Sequence, residues 1–269
     1  MSASDYSGRR VIVTGCASGI GEALTQVLTE RGAQVVGLDR RAISLPVAEF
    51  CRVDLADTDS ILETAAAIEG PIDVLFNVAG VSGPIGASVV IGINFVGTRE
   101  LTEALLPKMQ AGSAIVITSS LAASRYRERE ALIRGLLATE TRGEALAWCQ
   151  QHAAETGTGY AISKDALVWY TLTRTIELAA RGIRINAVAP GITATPIIAD
   201  VIKARGDDYL KTINMPLGRV AEPREQATVI AFLGSHDASY VSGQVIWPDG
   251  GYAAGVAAGQ FENVTGNVA

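Results

Sequence analysis

Along the chain, short continuous apolar runs alternate with segments whose apolar residues recur every three or four positions. Residues 11–14 (VIVT) read as a buried strand. Residues 22–31 follow as a helix, with Ala23, Leu24, Val27 and Leu28 on one stripe and Gly32 as its stop signal. Strands are predicted again at 34–39 (QVVGLD), 51–54 (CRVD), 72–77 (IDVLFN), 114–119 (AIVITS) and 183–189 (IRINAVA), with a last one in QVIWPDGG at 244–251. Helices are predicted between them at 60–68, 94–109, 162–181 and 224–233. Seven uniformly apolar strands separated by helices imply an α/β protein, a seven-stranded parallel sheet buried under helices on both faces. No linker or repeat interrupts the pattern, so residues 1–269 read as one domain.

Two stretches break the rhythm. Residues 121–157 insert two short helical patterns between a strand and the next long helix; Thr141-Arg142-Gly143-Glu144 has the form of a capping box for the second. Residues 193–218 are irregular and rich in Ile, Thr and Pro. The stretch from Ala253 onward is rich in Gly and Ala, suited to loose order or to packing on a partner subunit.

Composition narrows the possibilities. The chain has 269 residues, a formal net charge of −6 and a sequence pI near 5.1. A broad nucleic-acid surface is not expected, because phosphate binding needs clustered Lys and Arg. Arg125, Arg127 and Arg129 are interleaved with Glu128 and Glu130 and read as a solvated helix face. The three cysteines (Cys16, Cys51, Cys149) fit neither a metal motif nor a disulfide framework, which points to a reducing compartment. The first residues lack a secretory h-region and no run of 18 apolar residues occurs; the expectation is a cytoplasmic protein with no membrane partner. His152 and His236 are too few and too scattered for a metal site.

The candidate chemistry begins at 14–21, TGCASGIG. This loop follows a predicted strand and opens a predicted helix, the context a dinucleotide-binding loop needs. Its glycines permit a tight turn and close backbone approach, and the helix N-terminus offers free N–H groups to a pyrophosphate. No GxxxxGK[ST] is present, so a nucleoside triphosphatase is not supported. The next strand ends at Asp39, placed to accept hydrogen bonds from the adenosine ribose hydroxyls and to repel a 2′-phosphate. Arg40 and Arg41 could instead swing toward such a phosphate. The balance favours NAD(H) over NADP(H). Further on, Tyr160 and Lys164 stand four apart and share one helix face. A tyrosine titrates near about 10; acting as a base at neutral pH requires a fall of about 3, worth about 4 kcal/mol. A neighbouring lysine and a nicotinamide cation could supply it together.

With these residues in place, the chain resembles the short-chain dehydrogenases/reductases, single-domain Rossmann proteins. The motifs agree in order and spacing from residue 9 to 251: Thr14-Gly15-x3-Gly19-x-Gly21, Asp54-Leu55, Asn77-Val78-Ala79-Gly80, Asn94, Ser119-Ser120, Tyr160-x3-Lys164 and Pro190-Gly191. The resemblance implies that Gly15, Ser18, Gly19, Ile20 and Gly21 line the pyrophosphate loop, with Asp39 and Arg40 at the ribose. Asp54 and Leu55 would flank the adenine, and Asn77, Ala79 and Gly80 would pass behind the cofactor. Pro190, Gly191, Ile192 and Thr195 would cradle the nicotinamide. The catalytic set would be Asn94, holding a water of a proton relay; Ser120, the second of the serine pair, on the substrate oxygen; Tyr160 as acid/base; and Lys164, which would also bind the nicotinamide ribose. Valine at 78 replaces the family's second asparagine. Ser120 and Tyr160 are 40 apart where members usually have about 13, and this insert, with TGCASGIG and AEP at 221–223, looks closest to the 3α-hydroxysteroid dehydrogenase/carbonyl reductase branch.

The implied activity is interconversion of a secondary alcohol and a ketone with NAD(H). Ile197, Ile198, Val201, Ile202 and Met215 suit a hydrophobic substrate such as a steroid or terpenoid, or merely pack a lid helix. The resemblance also implies a homodimer or homotetramer, and the insert either alters that interface or roofs the substrate site. A non-catalytic dinucleotide sensor is the alternative. A hydrolase is not supported, there being no GxSxG, and the Tyr-Lys spacing disfavours an enoyl reductase.

Overall fold

The computed structural model describes residues 5–267. In chain order the elements are β1 (Arg10–Thr14), α1 (Gly19–Glu30), β2 (Gln34–Asp39), β3 (Glu49–Arg52), α2 (Thr58–Ala67), β4 (Ile72–Asn77) and α3 (Ala87–Ile91). A π-helical turn (Gly92–Gly97) joins α3 to α4 (Thr98–Leu105), and β5 (Met109–Thr118) follows. Then come α5 (Glu130–Leu137), α6 (Arg142–Gln151), α7 (Ala153–Thr156), α8 (Tyr160–Ala180) and β6 (Arg184–Val188). Helices α9 (Pro196–Arg205) and α10 (Pro223–Gly234), strand β7 (Val245–Ile246) and helix α11 (Tyr252–Ala257) complete the order.

All strand pairs are parallel, in the order β3-β2-β1-β4-β5-β6-β7. Successive strand residues point to opposite faces, and each face has its own core. Ile12, Leu75, Ile115, Ile117 and Ile185 pack beneath the side that carries α2, α4 and α8. Val11, Val13, Val74, Phe76 and Val116 pack beneath α1 and α10. The order in which strands are added reverses between β1 and β4, and a crevice opens at the strand C-termini there, the place an open α/β sheet offers a ligand.

The insert builds onto the first of these cores. Ile133 and Leu136 of α5 and Ala145, Trp148 and Cys149 of α6 are buried within it. The capping box predicted at Thr141 and Glu144 is formed. His152 stacks against the Trp148 ring at 4.6 Å.

Several sequence expectations are corrected. The helix predicted at 94–109 begins at Ala87 and ends at Leu105. Its π-helical turn is buried nearly all round, so that stretch shows no amphipathic stripe. The last strand is two residues long; Pro248 has no N–H to continue a ladder. Residues 125–129 are not a solvated helix face: Arg129 turns inward to Asp165 at 2.5 Å, and Arg127 stacks on Tyr126. Up to residue 267 the Gly/Ala-rich end also makes contacts within its own chain. After α11, Asn263, Thr265 and Gly266 bond to Ser124, Arg125 and Arg129. Among the described residues, no helix is long and apolar enough to cross a membrane.

Candidate active site

The crevice holds a cavity of about 450 Å³. Its phosphate end is made by the loop after β1. Gly15 and Gly19 have φ of +72° and +60°, left-handed values that favour glycine. A Cβ on Gly21 would stand 2.1 Å from the Gly15 carbonyl oxygen, and one on Gly15 2.8 Å from Ala79 Cα. These bare positions bring the backbone of the loop against the start of α1. Ser18 does not cap that helix; its hydroxyl accepts from Arg41 Nη2 at 2.7 Å, so the first N–H groups of α1 keep no side-chain partner. Asp39, ending β2, fixes the loop by accepting from Ala17 N at 3.1 Å and from Arg41 N at 2.9 Å. Thr14 holds the opposite lip, accepting from the backbone of Val78 and Ala79.

The candidate catalytic end lies where β5 meets α8. Helix α8 starts on Tyr160, because Gly159 before it takes a left-handed φ of 80°. The serine pair separates in role. Ser119 is buried and donates to the carbonyl of Lys164 at 2.8 Å, tying β5 to α8. Ser120 faces the cavity and hydrogen-bonds the Tyr160 phenol. Burial raises the Tyr160 pKa, the Ser120 bond opposes that rise, and the nearby Tyr209 phenol adds to it. Lys164 is almost fully buried, and burial brings its pKa down to about 8. Its Nζ donates to the Thr118 carbonyl at 3.0 Å and lies 5.6 Å from the Tyr160 ring centre. Across Gly80, Asn94 Oδ1 and Lys164 Nζ flank one point: a Cβ there would be 3.3 Å from each. Asn94 is locked by Val81, which it both accepts from and donates to, and by Ser163.

Of the expected cofactor residues, Gly15, Ser18, Gly19, Ile20, Gly21, Asp39, Arg40, Asp54, Leu55, Ala79, Gly80, Tyr160, Lys164, Pro190, Gly191 and Thr195 line this cavity. Two do not. Asn77 is buried behind the strand end, its amide donating to Thr102 Oγ1. Ile192 turns away into an apolar cluster with Leu121, Ile213 and Tyr252, beside a second cavity of about 220 Å³ that also takes Met215. Ile197 and Ile198 reach the main cavity, joined by Ile85 and Ile93, which carried no sequence signal. Arg41 also lines it. No residue from 121 to 157 borders this cavity, though Leu121 borders the smaller one beside it.

A dinucleotide fits the chemistry of this crevice. It offers a glycine cradle, uncapped helix N–H groups, a carboxylate beyond them and, at the far end, a buried Thr118 hydroxyl with no partner among the described residues.

Two family profiles match the chain, one described as short chain dehydrogenase over residues 9–131 and one as enoyl-(acyl carrier protein) reductase over residues 145–253. The stretch between them falls inside the insert. The chain is 35% identical over 260 residues to 3-alpha-hydroxysteroid dehydrogenase/carbonyl reductase of Comamonas testosteroni, covering 93% of this chain and 99% of that one. It is 32% identical over 249 residues to coniferyl-alcohol dehydrogenase of a Pseudomonas species, covering 92% and 98%. Among solved structures, the 3-alpha-hydroxysteroid dehydrogenase of a Pseudomonas species complexed with NADH matches with a TM-score of 0.81 at 32% identity, over 94% of this chain and 100% of that one.

Proposed function

This chain belongs to the short-chain dehydrogenase/reductase family of oxidoreductases, and on that premise we propose that it interconverts a hydrophobic secondary alcohol and its ketone with NAD(H). The observation that carries the reading is the meeting of Ser120, Tyr160 and Lys164 at one end of a crevice whose other end is a bare glycine loop closed by Asp39.

A bound nicotinamide supplies hydride acceptance and donation at its ring carbon. The chain's residues do the rest. In the oxidative direction the Tyr160 oxygen takes the hydroxyl proton as the carbinol carbon loses hydride; in reduction it returns the proton to the carbonyl oxygen. Ser120 Oγ holds that oxygen and stabilises the charge that develops on it. Burial, with the Tyr209 phenol beside it, favours the phenol form of Tyr160, so its ionisation depends on positive charge nearby, which Lys164 supplies. Lys164 titrates near about 8 and is largely protonated at neutral pH. Asn94 holds the water through which the proton exchanges with solvent. Asp39 accepts from the adenosine ribose, and its carboxylate disfavours a 2′-phosphate; Arg41, bonded to Ser18 beside it, is the residue that would relax this preference.

Ile85, Ile197 and Ile198, which line the cavity, support an apolar substrate. Of the relatives' names, 3-alpha-hydroxysteroid dehydrogenase agrees with a hydrophobic secondary alcohol, whereas coniferyl-alcohol dehydrogenase names a primary alcohol. We also assign a homo-oligomer as the working assembly, by analogy with the family. Absorbance at 340 nm tests the reading, with NAD+ and then NADP+ against steroid, terpenoid and cyclic secondary alcohols. NAD+-dependent turnover is expected. NADH binding with no turnover on any of them would favour the sensor reading.

A further inference from the structure

The π-helical turn from Gly92 to Gly97 carries Asn94 and presses against the adenine end of the cavity. A Cβ on Gly97 would be 2.2 Å from the Leu55 carbonyl oxygen, so turn and wall are in backbone contact. Such a turn departs from regular helical bonding and is held by its surroundings. Here an arginine from the insert holds it. Arg142, at the first position of α6, spreads its guanidinium over four partners. Nη1 donates to the Gly92 carbonyl at 3.3 Å and Nη2 to the Leu55 carbonyl at 3.0 Å. Nη2 also meets the Glu100 carboxylate at 2.5 Å, and Nε donates to Thr58 Oγ1 at 2.9 Å. Thr58 in turn reaches Glu100 at 3.2 Å. The Arg142 and Glu100 side chains are 16% and 18% exposed, so the pair is largely screened from water. A guanidinium suits this junction because its planar fork serves several acceptors at once, which a lysine ammonium does not.

We propose that Arg142 is a positioning residue: it fixes Leu55, at the adenine, and the turn that bears Asn94 as one unit, so that cofactor binding and the proton path are set together. The inference rests on the roles given above to Leu55 and Asn94. It gives the insert a functional connection although no residue of it touches the cavity.

The test uses the full-length chain with Arg142→Met, Arg142→Lys and Glu100→Gln. The readouts are NADH Kd by fluorescence, competition by AMP, and kcat and its pH profile on the best alcohol. Arg142→Met is expected to weaken NADH and AMP about tenfold and to lower kcat about tenfold. In an Asn94→Ala background its effect on kcat should vanish while its effect on NADH Kd persists. Arg142→Lys keeps a charge for Glu100 but not the fork; it should retain thermal stability and show most of both losses. If Arg142→Met misfolds, Arg142→Lys and Glu100→Gln carry the test. Folded variants with Kd and kcat within twofold of wild type would overturn the proposal, as would full rescue by lysine or an additive effect on kcat with Asn94→Ala. Tyr160→Phe separates the two levels: if it still turns over, the catalytic reading fails, while the NADH and AMP measurements on Arg142 stand.

Discussion

The glycine loop at β1–α1 and the insert at 121–157 sit on the same sheet but are specified in opposite ways. The loop is set by what its own backbone must do. Within seven residues Gly15 and Gly21 leave no room for a Cβ and Gly19 takes a left-handed φ, and Asp39 closes the loop from the neighbouring strand. The insert is set by distant partners. Trp148 completes a core begun elsewhere, Arg129 reaches Asp165, and Arg142 reaches Glu100, 42 residues away. A site that must receive a ligand's phosphates is written locally. A segment that stabilises the surroundings of a site is written in pairs scattered along the chain.

The largest expected effect bears on the insert. Trp148→Ala removes a nearly buried indole from the shared core and should cost about 3–5 kcal/mol in denaturant unfolding. A loss below about 1 kcal/mol would make the insert an appendage rather than part of the fold.

Lys164→Met comes next and probes the catalytic end. Burial lowers the Lys164 pKa in the folded state, to about 8 from an unfolded value of 10.5. Between these two pH values the unfolded chain binds more protons, so stability rises with pH through this window. The unfolding free energy of wild type relative to Lys164→Met should therefore climb by about 3 kcal/mol from pH 8 to 10.5. A flat difference would mean that Lys164 is not held in a desolvated site.

Two smaller effects sharpen the local side of the comparison. Gly21→Ala drives a methyl into the Gly15 carbonyl and should weaken NADH about a hundredfold while the protein stays folded. Binding within threefold of wild type would show that the loop can give way. Asp39→Ala should narrow the ratio of kcat/KM for NAD+ over NADP+ about tenfold. An unchanged ratio would move cofactor choice to Arg40 or Arg41.

The same contrast explains what was legible in the sequence. The strands and the residues at the phosphate end could be read because each depends on neighbours close in the chain or on a spacing such as Tyr160 to Lys164. The start of the helix before Asn94 could not, since ASVVIGINFVG is apolar on every side and has no period to detect. Ile192, read at the nicotinamide from its place after Pro190-Gly191, packs its side chain into the cluster around Tyr252 while its neighbours Gly191 and Thr193 line the cavity. The arginines of 125–129 looked solvated because acidic neighbours stood beside them, while Asp165, the partner of Arg129, stands 36 residues away. The difference between Ser119 and Ser120 needed the packing of β5 on α8 to acquire a physical cause.

The central claim is that Tyr160 moves the proton while the crevice holds the cofactor independently of it. The most direct test measures NADH Kd and steady-state turnover at 340 nm for wild type and Tyr160→Phe in parallel. The account predicts a Kd within about threefold of wild type and a fall in kcat of at least about a thousandfold. Turnover preserved in Tyr160→Phe would contradict it.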